Sequence, residues 1–151
     1  MFLKNSLYRN FIFISLLSFF SDRITKEWII RYIPFQETIS IFPFFNLTYV
    51  KNTGIAFSLG QNFNLLFIWT TIIMILILTL YAFTQKTNWP IALILGGAAG
   101  NLYDRIFSGA VTDFLDFYVG THHWPAFNIA DSFVCIGSAL LIYFEYKKSS
   151  H

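Results

Sequence analysis

Charged residues are scarce in this chain, and their scarcity limits the class of protein. Asp, Glu, Lys and Arg together make up 12% of the 151 residues, whereas hydrophobic residues make up 56%. About a quarter of the residues in an ordinary soluble domain are charged, so such a domain is excluded. The net charge of +2 is also too small to indicate a nucleic-acid partner.

Cysteine is scarcer still, because Cys135 is the one cysteine of the chain. A single cysteine cannot form an internal disulfide, so a disulfide scaffold is excluded. Cys135 lies in an apolar run, whereas a reactive thiol needs a polar, partly exposed setting, and we predict a packing role for it. The G-x-S-x-G element of many serine hydrolases is also absent. Both absences count against a serine or cysteine hydrolase.

Long apolar segments fill much of the chain. A helix needs about 20 apolar residues to cross a bilayer, and four segments approach or exceed this length. We predict transmembrane helices over residues 7–32, 62–84, 89–107 and 127–146. The first begins like a signal peptide, but SDRITK stands where a small-residue cleavage site is expected. We therefore predict one long, retained helix.

The segment between the first two helices has a different pattern. Polar and apolar residues alternate in ETISIF and NLTYV, which are rich in β-branched and aromatic types, and this favours short strands. We predict a mainly α membrane protein of one domain, residues 1–151, with a small β unit at residues 34–60. The connection between the third and fourth helices, residues 108–125, is interpreted as a loop.

Unusual polar residues gather at one face of the membrane. Successive spans alternate in direction, so the ends of the first and third helices share a side with the starts of the second and fourth. The polar residues near these ends are Asp22, Arg23, Lys26, Lys51, Asn52, Asn101, Asp104, Arg105, Asn128 and Asp131. Lys and Arg divide five against five between the two faces, so the positive-inside rule leaves the orientation open.

Asp131 raises the sharpest question, because a carboxylate at membrane depth is costly and is functional by default. One interpretation is a first-turn charge that interacts with the helix dipole, worth about 0.3–1 kcal/mol. A second is a metal site with His122 and His123. This interpretation is disfavoured because the two histidines are adjacent, whereas ligand pairs are usually more widely spaced. A third is a pair of aspartates that share a proton and activate a water. Asp113 and Asp116 are both available as the second carboxylate.

The third interpretation favours an intramembrane hydrolase. The alternative is a small membrane transporter or channel subunit in which Asp131 carries protons. A transporter would place its charged groups or broken helices near the bilayer midplane, whereas these groups lie toward one end of the helices. The small residues of GGAAG at 96–100 favour close helix packing over a helix break.

Five short stretches carry a resemblance to a known family. They are SDRITK, VKNTGIAFS, GGAAGNLYDR, VTDF and FNIADS, in that order along the chain. Together with the four-helix layout they resemble the lipoprotein signal peptidases, the type II signal peptidases of bacteria. The resemblance covers nearly the whole chain. It implies an aspartic peptidase of the cytoplasmic membrane that cleaves prolipoproteins before a diacylglyceryl-modified cysteine.

The resemblance also implies roles for individual residues. Asp113 of VTDF and Asp131 of FNIADS match the catalytic pair, and Asp116 does not. Positions that line or support the site are matched by Asn52, Gly54, Asn101, Arg105, Asn128 and Asp22. Asp104 matches a further position, for which we expect a structural role and a pairing with Arg105.

Topology and partners follow from the same resemblance. Both termini are expected in the cytoplasm, the β unit outside it, and the site near the outer leaflet. The implied partners are prolipoproteins with diacylglyceryl-cysteine, membrane lipids and, as inhibitors, cyclic-peptide antibiotics; no cofactor or metal is implied. The loop at residues 118–124 is interpreted as a lid. Arg23 and Ile55 depart from the family, which often has Gln and Ala there.

Overall fold

Four helices and one antiparallel sheet make up the fold. The computed structural model describes residues 2–54, 64–85 and 88–150, with side chains from residue 7 onward. The helices are α1 (Phe2–Tyr32), α2 (Asn64–Ala82), α3 (Trp89–Ser108) and α4 (Ile129–Ser149), and the strands are β1 (Thr38–Phe42), β2 (Phe45–Asn52), β3 (Val111–Val119) and β4 (His122–His123). The predicted mainly α class with four helices and a small β unit is confirmed.

The sheet is larger than the sequence predicted. Its strands follow the order β1-β2-β3-β4 and every pair is antiparallel. The predicted loop at residues 108–125 is therefore wrong, because this segment supplies β3 and β4. VTDFLDFYV is rich in β-branched and aromatic residues, which favours a strand, but its two aspartates interrupt the alternation and obscured the pattern. Asp113 of β3 lies opposite Val50 of β2, at the end of the sheet near the helices.

The first helix buries a polar stripe and exposes apolar residues. Ser18, Asp22 and Lys26 succeed one another at intervals of four residues, which is one face of a helix, and each is at most 1% exposed. Large apolar side chains such as Phe13, Leu17 and Ile24 are exposed along the length of α1, with charged residues such as Arg9 and Arg31 exposed toward its two ends. A helix with its polar face inward and its apolar face outward is suited to a lipid environment, since water would favour the reverse.

Two of the described helices, α2 and α4, are long and apolar enough to cross a membrane by length and composition. Within α2 the one fully buried residue is Ala82, and large side chains such as Leu65, Trp69 and Leu80 are exposed. Cys135 is likewise exposed on α4, so the packing role predicted for it is wrong. The thiol belongs to the apolar outer surface of the helix instead.

Glycines let α3 approach its neighbours closely. A Cβ added at Gly96 would lie 2.4 Å from the Ser15 carbonyl oxygen of α1, and one at Gly97 would lie 2.5 Å from the Ala130 carbonyl oxygen of α4. The close packing predicted for GGAAG is therefore confirmed. Gly109 then ends α3 in the left-handed region, with φ of 72°, and turns the chain into β3. In this way α3 brings α1, α4 and β3 together around its last two turns.

Candidate active site

Asp113 is held on β3 by two amide side chains. Its Oδ2 accepts a hydrogen bond from Asn52 Nδ2 of β2 at 2.9 Å, and its Oδ1 accepts from Asn128 Nδ2 at 2.7 Å. The carboxyl group is nearly sequestered, because Asp113 is 2% exposed. Gly54 contributes indirectly, since its backbone N–H donates to Asn52 Oδ1 at 3.0 Å and leaves Asn52 Nδ2 facing Asp113.

Asp131 lies in the first turn of α4 as part of a capping box. The Asn128 Oδ1 atom accepts from Asp131 N at 2.9 Å, and Asp131 Oδ2 accepts from Asn128 N at 3.2 Å. The other carboxylate oxygen, Oδ1, accepts from Asn101 Nδ2 of α3 at 2.7 Å. The interpretation of Asp131 as an acidic residue in the first turn of a helix is thus correct. The bond from Asn101 shows that the same carboxylate also contacts α3.

Asn128 connects the two aspartates, although they are eighteen positions apart in the sequence. It donates from its side chain to Asp113 and from its backbone to Asp131, and its Nδ2 also lies 3.1 Å from Asn101 Oδ1. Asn128 is completely buried. The fold therefore brings Asn52, Asn101, Asn128, Asp113 and Asp131 into one hydrogen-bonded cluster.

The electrostatic setting keeps a proton on this cluster near neutral pH. Burial first, and the nearby negative charge of Asp131 second, raise the pKa of the Asp113 carboxyl from 3.8 to about 7. The hydrogen bonds from Asn52 and Asn128, and the charge of Lys26, oppose this rise. Two carboxyl groups in such a site can hold one proton between them, which is the condition for paired acid and base chemistry.

The raised pKa of Asp113 predicts how stability depends on pH. Between pH 4 and pH 7 the folded protein holds a proton that the unfolded chain has released, so stability falls as pH rises through this window. An increase of about 3 pKa units corresponds to at most about 4 kcal/mol. We expect Asp113→Asn to remove this contribution, so that the variant gains stability relative to wild type from pH 5 to pH 7.5. Thermal unfolding in detergent measures the difference, and parallel pH curves for the two proteins would contradict the prediction.

A second charged cluster supports the first from α1 and α3. Asp104 is 1% exposed, and its Oδ2 lies 3.1 Å from Lys26 Nζ and accepts from the Thr112 backbone N–H at 3.0 Å. Its Oδ1 pairs with Arg23. Among the described residues no ion pair or hydrogen bond joins Asp104 to Arg105, so the predicted pairing of these neighbours is wrong. Residues 104 and 105 are consecutive on a helix, so their side chains diverge.

Asp22 ties α1 to the start of α4. Its Oδ1 accepts from the Ala130 backbone N–H at 3.0 Å, and its Oδ2 lies 2.8 Å from Lys26 Nζ. Lys26 was not predicted as a site residue, although it reaches Asn101 Oδ1 at 2.8 Å. The signal that could have identified it is its spacing. A lysine four residues after Asp22, inside a long apolar helix, falls on the same helix face as the aspartate.

Arg105 stands apart from these contacts. Its guanidinium lies 5.5 Å from the centre of the Phe67 ring, and its carbonyl oxygen accepts from Asn64 Nδ2 at 3.0 Å. Both contacts join α3 to α2. Among the described residues no ion pair links Arg105 to either aspartate of the cluster, and Ile55 lies outside the described residues. The site role predicted for Arg105 stays a prediction.

Asp116 belongs to a different group of residues. Its carboxylate accepts from Asn46 Nδ2 at 2.8 Å and lies 2.8 Å from His123 Nδ1. The predicted lid segment, residues 118–124, contains the end of β3, the turn that follows it and all of β4, and Tyr118 pairs with His123 across the two strands. A role as a lid stays a prediction. Within the part of the chain that the structure describes, no group of three or more His, Cys, Asp or Glu residues is placed to hold a metal ion.

Comparisons with known proteins show which family this chain is similar to. The family profile of signal peptidase (SPase) II matches residues 14–147. Lipoprotein signal peptidases of Yersinia pestis (strain Pestoides F) and Yersinia pseudotuberculosis (serotype O:3, strain YPIII) are each 44% identical over 131 residues, which cover 81% of this chain and 78% of each relative.

Solved structures agree as well. Two structures described as a bacterial membrane enzyme are each 32% identical to the chain. The match to the first has a TM-score of 0.83 and spans 93% of this chain and 89% of the solved chain. The match to the second has a TM-score of 0.78 and spans 88% of this chain and 90% of the solved chain. The family match, the sequence identity and the shared fold span the same helices and sheet that carry the polar cluster, and the chain belongs to the signal peptidase II family.

Proposed function

We propose that this peptidase removes signal peptides from prolipoproteins as an aspartic endopeptidase, with Asp113 and Asp131 as its acting pair. The observation that carries the proposal is the position of Asn128, which donates to both carboxylates from a fully buried site. Family membership supports the reaction. The raised pKa of Asp113 supports the chemistry, because one member of an aspartic pair must hold a proton at working pH.

The two carboxyl groups divide the work of hydrolysis. The pair titrates as a unit, but burial raises the pKa of Asp113 and places the shared proton mainly on this residue. Asp113 donates that proton to the scissile carbonyl oxygen, while Asp131 takes a proton from the attacking water. As the C–N bond breaks, Asp131 delivers its proton to the departing amine and Asp113 takes back a proton from a hydroxyl of the tetrahedral intermediate. The products are a carboxylic acid, which ionises in solution, and a free amino group, and the pair again holds one proton.

All four helices cross the bacterial inner membrane in this proposal. Both termini are cytoplasmic, and the pair lies near the outer leaflet with the sheet. The exposed apolar surfaces of α1, α2 and α4 support this placement, as do exposed aromatic residues beside and within the sheet, such as Phe35, Phe42 and Phe44. A lipid-bearing substrate then enters laterally from the bilayer, and its scissile bond beside the diacylglyceryl-cysteine lies at the depth of the pair.

Cleavage by the purified protein tests the function directly. We expect protein in detergent to cleave a diacylglyceryl-modified prolipoprotein before the modified cysteine and to leave the same precursor uncut when the cysteine is unmodified. Exhaustive chelation should not change the rate. Absence of cleavage, together with proton or solute flux in liposomes that requires Asp131, would instead favour a transporter or channel subunit.

The same assay tests the proposed inhibitors. Cyclic-peptide antibiotics that act on this family should compete with the lipid-modified substrate. Inhibition that substrate concentration cannot relieve would contradict a shared site.

A further inference from the structure

We propose that Lys26 is a positioning residue for the cleavage reaction, which acts on the Asp113–Asp131 pair through the side chain of Asn101. The inference rests on the proposed function, since it takes these two aspartates as the acting pair. Lys26 lies on α1 and is completely buried. It touches neither aspartate of the pair among the described contacts, so its effect must pass through a neighbour.

The ammonium nitrogen of Lys26 has three oxygen atoms within 3.1 Å, and it donates a hydrogen bond to one of them, Asn101 Oδ1. Its Nζ lies 2.8 Å from Asp22 Oδ2, 3.1 Å from Asp104 Oδ2 and 2.8 Å from Asn101 Oδ1. A buried charge needs paired carboxylates and hydrogen bonds, and Asp22 and Asp104 already supply the opposite charge. The bond to Asn101 is as short as the shorter ion pair, and it is the one that points toward the pair.

This bond determines which way the Asn101 amide faces. A lysine ammonium can only donate, so the atom of Asn101 that faces Lys26 must be the carbonyl oxygen. The amide nitrogen is then directed to the opposite side, where it donates to Asp131 Oδ1 at 2.7 Å. A flipped amide would present its oxygen to a carboxylate oxygen and lose that bond. Asn128 Nδ2 adds a second, longer contact to Asn101 Oδ1, at 3.1 Å.

Lys26 also acts on the pair through its charge. Its positive charge lowers the pKa of Asp113 against the larger, opposite effect of burial. The charged groups that surround this part of the molecule are Asp22 and Arg23 on α1, Lys51 on β2, Asp104 and Arg105 on α3, Asp113 on β3 and Asp131 on α4. Loss of Lys26 removes a cation from among four carboxylates, so the pair should hold its proton to higher pH.

A purely structural role makes a different prediction. If Lys26 only neutralised Asp22 and Asp104, its removal would lower the melting temperature, and removal of one buried carboxylate with it would restore a normal enzyme. The two roles can therefore be separated in a background that lacks Asp22. Asp22→Asn is suitable because an asparagine Oδ1 can still accept from the Ala130 backbone N–H.

The experiment compares Asp22→Asn with the double variant Lys26→Met/Asp22→Asn, in detergent, on a diacylglyceryl-modified prolipoprotein. We expect the added Lys26→Met change to lower kcat about 10²-fold with little change in KM. We also expect it to move the pH profile of cleavage to higher pH by about half a unit or more. Arg31→Met, an exposed cation on the same helix, serves as the control and should leave the profile unmoved. Thermal unfolding verifies that both variants are folded.

Two outcomes would overturn the proposal. One is a double variant that cleaves at the rate and with the pH profile of Asp22→Asn, and the other is a change confined to the melting temperature. Asp131→Asn, measured in parallel, separates this failure from failure of the proposed function. If Asp131→Asn cleaves normally, the acting pair itself is wrong. If Asp131→Asn is inactive while the double variant has the rate and pH profile of Asp22→Asn, the acting pair stands and only the proposed role of Lys26 is wrong.

Discussion

Asp113→Asn and Asp131→Asn are each expected to lower kcat for prolipoprotein cleavage by about 10³-fold or more, since each replaced group transfers a proton in the proposed mechanism. Asparagine keeps the size and the acceptor oxygen of the side chain, so the contacts with Asn128 can persist while the transferable proton is lost. The double variant should be about as inactive as either single variant, because the two groups act as a unit. A single-turnover cleavage assay measures the loss.

The chain offers a matched control for this experiment. Asp116 is on the same strand as Asp113, is 7% exposed, and is hydrogen-bonded to Asn46 and His123 instead of the pair. Asp116→Asn should therefore cleave at close to the wild-type rate. Normal turnover by Asp113→Asn or Asp131→Asn would remove that residue from the mechanism, and an equal loss in Asp116→Asn would show that the effect is not specific to the pair.

Gly97→Ala is expected to destabilise the protein by about 1–3 kcal/mol, although alanine is the better helix former by up to about 1 kcal/mol. The variant is expected to lose stability in spite of this preference because the new Cβ would lie 2.5 Å from the Ala130 carbonyl oxygen, a backbone atom that cannot rotate away. Helix α4 must shift to relieve the contact. Since Ala130 precedes Asp131, the shift also moves a proposed catalytic carboxylate, and kcat should fall with stability.

Thermal unfolding and cleavage of the same detergent preparation test this prediction. Thr70→Ala, an exposed position on α2, is a suitable control, because it also introduces alanine into a helix but creates no close contact. We expect it to leave both measurements near their wild-type values. A Gly97→Ala variant that is more stable than wild type would contradict the close packing of α3 against α4.

The helices could be predicted from the sequence because each contains a long apolar stretch, although among the described helices α2 and α4 are the two that meet the length and composition of a membrane span. Strand β3 could not, because Asp113 and Asp116 interrupt its apolar alternation and were interpreted as loop chemistry. If β3 had been predicted, the strand geometry itself would have distinguished Asp113 from Asp116 as the partner of Asp131. Residues three apart on a strand project to opposite faces, so only one of them can face the cluster at Asn128.

The contact of Lys26 with Asn101 was unpredictable for a different reason. The spacing of Lys26 from Asp22 indicates a partner on the same helix, but no local pattern indicates a partner on α3. Its contact with Asn101 joins residues 75 positions apart. That contact depends on how closely α1 packs against α3, which in turn depends on Gly96 and on Gly100, where a Cβ would lie 2.4 Å from Asp22 Oδ2. Such a distance is a property of helix packing and is not encoded in any short motif.

The capping box at the start of α4 couples the proposed reaction to the stability of that helix. In that mechanism Asp131 gains a proton from water during each turnover and then releases it to the leaving amine. While it is protonated, its charge no longer interacts with the helix dipole, and the first turn of α4 loses about 0.3–1 kcal/mol. In this mechanism the first turn of α4 is therefore least stable just after the water attacks, and it regains this stabilisation as the amine departs.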